Sequence, residues 1–206
     1  SPQADYELLA GFGHDPSHVF RGHKADIYEG GHRIPFLAKW PAVIEAQTTS
    51  DETTCLTDLM ATVADILGVP LADHAGVDSY SILPVFQGES PGHPIREATV
   101  HHSVNGSFAI RQGKWKLILC PGSGGWSFPT PAQTAEMDLP PFQLYDLETD
   151  IGETSNLYDE FPQVAESLKG LMEQYVRSGR STPGPAQENT PAENWPGLDW
   201  MVNTPE

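Results

Sequence analysis

The chemistry in this sequence is concentrated in Arg21-Gly22-His23-Lys24-Ala25-Asp26-Ile27-Tyr28-Glu29-Gly30-Gly31-His32-Arg33-Ile34-Pro35. Arg21, Lys24 and Arg33 are three of only eleven basic residues, in a chain of 206 residues with a formal net charge of -17. Basic side chains carried on a loop suit an anion, because their N–H groups donate to its oxygens while their charge offsets its own. Glu29 stands just before two glycines, whose backbone freedom marks a tight turn or a close approach of chain segments. After them the pattern changes to Ile34-Pro35-Phe36-Leu37-Ala38-Lys39-Trp40, closed by Pro41. That short apolar run predicts a buried strand that holds the basic loop in place.

Lys24, Tyr28-Glu29-Gly30-Gly31 and Arg33-Ile34-Pro35 together resemble the Lys-x-x-x-[Tyr/Phe]-Glu-Gly-Gly-x-Arg-x-Pro signature of the type I sulfatases, in the alkaline phosphatase superfamily. The resemblance continues in Thr57-Asp58-Leu59-Met60-Ala61-Thr62, where Ala61 stands for the family's proline, and in Gly76–Pro84. It extends to Ala109–Ile118, to Gln143–Leu147 and on through Glu153 and Asn156-Leu157, so that it covers nearly all of residues 1–178. It implies that Lys24 contacts the substrate's sulfate, and that Glu29-Gly30-Gly31 shape the loop. In the family the loop before the lysine borders the active site, which makes His23 a second substrate-binding candidate. The family also uses a formylglycine nucleophile, made from Cys or Ser in Cys/Ser-x-Pro/Ala-x-Arg, and a divalent ion, usually calcium. Neither Cys55 nor Cys120 begins such a motif. The resemblance thus implies the C-terminal part of a sulfatase, with formylglycine and calcium supplied by an upstream part of the same polypeptide and no metal ligand in this chain.

Other residues invite functional readings of their own. His14, His18, His23 and His32 are half of the eight histidines. His14 and His18 are four apart, but the glycine and proline around them spoil a metal-binding helix, so the four read as solvated or hydrogen-bonding groups, any of which could help bind sulfate. His101-His102-Ser103 stands at a strand end, and Trp126 in the glycine loop Pro121–Ser127. Both could reach over the site and read the organic part of a substrate, with Trp126 stacked on a sugar or aryl ring; the alternative is a loop that packs its own indole. Asp58 and Asp65 read as carboxylates on a solvated helix face, and Arg111, Lys114 and Lys116 as strand-edge or hairpin charges. Both cysteines read as buried free thiols.

The elements that must position these groups follow from periodicity. A helix is predicted over 50–68, with Leu56, Leu59, Met60, Val63, Ile66 and Leu67 on its buried face. The segment 87–96 is the best boundary. Beyond it, Thr99–Val104, Ser107–Arg111 and Lys114–Cys120 are separated by Asn105-Gly106 and Gln112-Gly113, which predicts an antiparallel meander joined by a fourth strand, Phe142–Leu147. A last helix over 162–178 carries the stripe Val164, Leu168, Leu171, Met172 and Tyr175. The expected fold class is therefore α/β: residues 1–90 end a large alkaline phosphatase-like α/β domain, and 91–180 form a small α+β domain of four antiparallel strands with a C-terminal helix. Residues 181–206 are a proline-rich tail, part of which docks back through Trp195 and Trp200.

The acidic balance disfavours nucleic acid and anionic membranes as partners, and no run approaches the ~18 apolar residues of a membrane span. The expected function is hydrolysis of sulfate esters on a sulfated small molecule or glycan, with this chain inactive alone. A phosphonate or phosphodiester hydrolase of the same superfamily, or a non-catalytic module that grips sulfated glycans, are the alternatives. A periplasmic, secreted or lysosomal setting is implied by the resemblance alone.

Overall fold

A computed structural model describes residues 6–89, 92–189, 195 and 197–201. Two compact units divide the chain: one holds Ser1–Ile34, Val100–Met172 and Ala192–Glu206, the other Pro35–Thr99 and Glu173–Pro191. Compactness puts the Lys24 segment with the sheet, whereas the expected domain cut falls at residue 90.

The first unit is built on a four-stranded antiparallel sheet in the order β1 (Thr99–His102), β2 (Phe108–Gln112), β3 (Trp115–Ile118) and β4 (Gln143–Asp146). Its register pairs Arg111 with Lys116 across β2–β3 and Lys116 with Tyr145 across β3–β4. Both predicted turns form, with Gly106 and Gly113 at φ 87° and 56°, values that a side chain resists. Ala109, Ile118, Tyr145 and Leu147 pack with Ile27 and Tyr28 into one core, so the basic loop is anchored by its own next two residues. Short helices α1 (Tyr6–Gly11) and α2 (Glu29–His32) belong to this unit. So does α5 (Pro131–Thr134), which starts in a capping box between Thr130 and Gln133. The last helix, α6 (Pro162–Ser178), starts in this unit and ends in the other; it buries Ala165, Leu168, Met172 and Tyr175 at the predicted spacing. Trp115 packs on Phe161 just before it, ring centroids 5.2 Å apart. Trp195 stacks on Phe108 at 6.0 Å, so the expected return of the tail is visible there.

The second unit holds α3 (Asp58–Ile66) and α4 (Leu83–Phe86). Here three expectations are corrected. The run 34–40 forms no strand, and Ile34, Phe36 and Leu37 are exposed, because no ladder partner lies beside them among the described residues. The helix is shorter than 50–68, and it buries Asp58 and Thr62 while Leu56, Leu59, Met60, Val63, Ile66 and Leu67 stay exposed. Asp58 is therefore no solvated carboxylate. It accepts from the amides of Cys55 (2.7 Å) and Tyr80 (3.0 Å) and forms an ion pair with Arg96. Asp65 does stay exposed, bonded to the Ser81 hydroxyl. Both cysteines are free and half-buried.

Candidate functional site

The Lys24 loop is built around one buried carboxylate. Asp26 accepts from the backbone amides of His23 (2.8 Å), Trp126 (2.7 Å) and Ser127 (3.0 Å), and from the Ser127 hydroxyl. A buried carboxylate needs such donors, since each unmet oxygen would carry its full desolvation cost. The Ile27 amide bonds the Ser123 carbonyl at 2.8 Å, and the Val104 amide bonds the Ala25 carbonyl at 2.9 Å. Three segments far apart in sequence thus converge: the Lys24 loop, the β1–β2 turn and the glycine loop 121–127. The glycines permit this approach, for a Cβ on Gly125 would lie 2.5 Å from the Ala25 carbonyl oxygen. Ala25 itself sits at φ 93°, a strained backbone value held by these contacts. From the sheet side, the Gln143 amide donates to the carbonyls of Cys120 (2.8 Å) and Gly122 (3.0 Å) and fixes the start of the glycine loop.

On this frame Lys24 is exposed and Trp126 is 47% exposed. The His23 ring is half-buried, its Nδ1 3.2 Å from the Ser127 hydroxyl oxygen. His23 and Trp126 are therefore brought together through Asp26 and Ser127. His101 goes elsewhere: its ring stacks on His32, centroids 3.9 Å apart and 17° from parallel.

That stack borders a buried charge cluster behind the Glu-Gly-Gly turn. Lys116 is fully buried, with its ammonium 3.0 Å from Glu29 and 2.8 Å from Glu153, so its reading as a strand-edge charge is corrected. The Glu29 amide donates to Glu153 at 2.6 Å, while His32 and Arg33 reach the Glu29 carboxylate at 3.1 and 3.3 Å. Burial pushes the Glu29 carboxyl upward, but His32 and Lys116 outweigh it and hold the group well below its usual range. For Glu153 burial prevails over Lys116, and the carboxyl rises. Burial depresses His32 against the pull of Glu29, and depresses His101 further, aided by His32 and Lys116. Arg21 serves the frame: it donates to the Glu153 carbonyl at 2.8 Å and lies 3.9 Å over the Tyr28 ring.

The parts played by Asp26, Ser127 and Glu153 were missed from sequence, whereas His32, read as a solvated or hydrogen-bonding histidine, does bond to Glu29. Asp26 lies inside the motif but at one of its variable positions. Ser127 and Glu153 sit 101 and 124 residues from their partners, beyond any local period.

Known proteins give this arrangement a family. An N-acetylgalactosamine-6-O-sulfatase of Bacteroides thetaiotaomicron is 32% identical over 161 residues, which are 78% of this chain and 30% of that protein. Human arylsulfatase A is 34% identical over 170 residues, 75% of this chain and 32% of its own length. A solved structure from work on glycosaminoglycan metabolism by Bacteroides thetaiotaomicron superposes with a TM-score of 0.68 at 31% identity, over 82% of this chain and 34% of that one. No protein-family model matches. The sheet, the helices and the lysine-loop motif place the chain in the alkaline phosphatase superfamily. Within that class, the chain belongs to the sulfatases. It spans about a third of the length of the curated relatives it matches.

Proposed function

We propose that this chain is the lysine-bearing C-terminal part of an enzyme that hydrolyses sulfate esters, with a sulfated sugar as the substrate class. The observation that carries it is Lys24, exposed at its motif position on a loop pinned to two other segments through Asp26, Ile27 and Ala25. The sugar reading is supported by the bacterial relative that acts on N-acetylgalactosamine-6-O-sulfate, and by the exposed Trp126 beside the lysine loop.

Formylglycine and calcium, which the family implies, do not fit the residues described here. Neither cysteine opens the modification motif, and among the described residues no three His, Cys, Asp or Glu side chains could hold a metal ion. We assign both groups to an upstream part of the same polypeptide. The exposed apolar residues of α3 and of 34–37 are where that part would pack. Lys24 places a compact cation against the sulfate oxygens, and its attraction strengthens as the S–O bond to the leaving group breaks and charge grows there. Alone, the chain turns nothing over. Among the described residues no helix is long and apolar enough to cross a membrane.

The test is a sulfate-ester hydrolysis assay on the polypeptide extended upstream and matured to carry formylglycine. Lys24→Ala lowers kcat/KM by about two orders of magnitude or more, as removal of one oxyanion donor does. Full activity in that variant removes Lys24 from the site. No activity of the matured parent on any sulfate ester shifts the reading to phosphoryl transfer or to binding alone.

A further inference from the structure

Lys24 stands at the corner of a tight turn whose shape is imposed from outside it. The Asp26 amide closes the turn on the His23 carbonyl at 2.9 Å. Ala25 follows the lysine at φ 93°, a value for which a turn ordinarily uses glycine. An alanine keeps such a backbone only where its surroundings over-determine it. Here they do so on both sides of the lysine. The Asp26 side chain has no exposed surface, and its carboxylate divides its two oxygens between two segments. Oδ2 accepts the His23 amide of the lysine loop at 2.8 Å, together with the Ser127 hydroxyl. Oδ1 accepts the amides of Trp126 (2.7 Å) and Ser127 (3.0 Å) from the glycine loop. Beyond the lysine, the Ala25 carbonyl accepts the Val104 amide. Gly125 closes the remaining space, since a Cβ there would overlap both the Ala25 carbonyl and Oδ1 of Asp26. A lysine ammonium rides on a flexible four-carbon stem, so its reach is directed first by the backbone that carries it.

We infer that Asp26 and Ser127 are positioning residues for Lys24, and that through them the glycine loop aims the lysine cation at the sulfate. This rests on the sulfatase reading above. The motif alone does not supply the device, because Asp26 occupies one of its variable positions and Ser127 lies 101 residues further on. Four donors converge on one buried carboxylate, and bonds to an ionised acceptor are about twice as strong as neutral ones. The link between the two loops is therefore firm. A lysine that stabilises charge as the S–O bond breaks must keep its place beside one sulfate oxygen, and a misplacement of about 1 Å can cost about a hundredfold in rate. The same carboxylate holds the backbone of Trp126, so the cation offered to the sulfate and the indole offered to the sugar ring belong to one tied unit.

The test is a double-mutant cycle on the extended, matured enzyme, with a sugar sulfate as substrate. Ser127→Ala removes one donor from Asp26 and leaves Lys24 in place. Gly125→Ala wedges the two loops apart and removes no polar group. Each is expected to lower kcat about tenfold with KM within about twofold, because a misaimed cation is missed in the transition state more than in binding. Each is then combined with Lys24→Ala, where no cation is left to aim, and the further loss is expected to stay under about twofold. A general weakening of the fold would cost the same in both backgrounds. Equal losses with and without Lys24 overturn the inference, and so does a parent-like kcat in both variants. Should one variant fail to fold, the other carries the cycle by itself. A parent inactive on every sulfate ester defeats the sulfatase reading and the aiming of its lysine together. An active parent with additive losses defeats the positioning alone.

Discussion

Lys116 shows how far a residue's type can mislead about its place. It occupies a strand beside Arg111 and Lys114, yet its ammonium lies at no exposure between Glu29 and Glu153. Such a cluster is stabilising only while complete, because removing the cation leaves two carboxylates facing each other out of water. Lys116→Met is expected to cost about 3–5 kcal/mol, the usual loss when one partner of a buried pair is removed. Urea unfolding of the purified chain measures it, and a loss under about 1 kcal/mol would mean that the carboxylates take up protons cheaply instead. The position of Lys116 could not be read from its neighbours, since both carboxylates reach it from elsewhere in the sequence. The role of Glu29 could be read in part: a lone carboxylate before two glycines does shape the loop, through its ties to His32, Arg33 and Lys116.

At the scale of elements, the Glu-Gly-Gly turn is a packing device. A Cβ on Gly31 would stand 2.0 Å from the Asp26 carbonyl oxygen, and one on Gly30 would stand 2.2 Å from that of Gly22. Neither obstacle is a flexible side-chain end, so the loop itself must move. Gly31→Ala is therefore expected to displace Asp26 and with it His23 and the amides of Trp126 and Ser127. Amide hydrogen exchange should rise at residues 123–127, 92 or more positions away in the chain, and unchanged protection there would disprove the coupling. Helix α3 makes the opposite point. Its heptad-like apolar stripe was legible and its length partly so, but the face it buries carries Asp58 and Thr62, because the Asp58 carboxylate collects the amides and guanidinium around it. The run 34–40 has strand composition without a strand, since a strand exists only when a ladder partner supplies its hydrogen bonds.

The molecule as a whole carries a formal charge of -17, and its pH response sets general repulsion against local burial. Acidification relieves the repulsion. It also forces protons toward His32 and His101, whose folded pKa values lie below the ordinary 6.5. Groups depressed in this way bind more protons unfolded than folded, so stability falls as pH drops below about 6.5. Glu29, also depressed, adds a loss only below its ordinary 4.5, while Glu153, raised, opposes it near that pH. The Lys116 and Arg111 charges near the imidazoles act in the same direction as burial. The melting temperature is thus expected to fall between pH 7.5 and 6, and His101→Phe, which keeps a ring against His32, to flatten that slope. An equal slope in the variant would place the pH response outside the stack.

From the sequence alone came the family, the four strands and their turns, the stripe of α6 and the motif lysine. These are properties of local period and of short spaced motifs, which survive any rearrangement of distant segments. Tertiary structure alone decided that Asp26 gathers His23, Trp126 and Ser127, that Lys116 is buried between two carboxylates, and that His101 stacks on His32. Each of these includes a contact between residues more than 60 positions apart, Asp26 with Trp126 and Ser127, Lys116 with Glu29, and His101 with His32, and chain closure over such distances is chosen by the packing of the entire unit rather than by any one segment's composition.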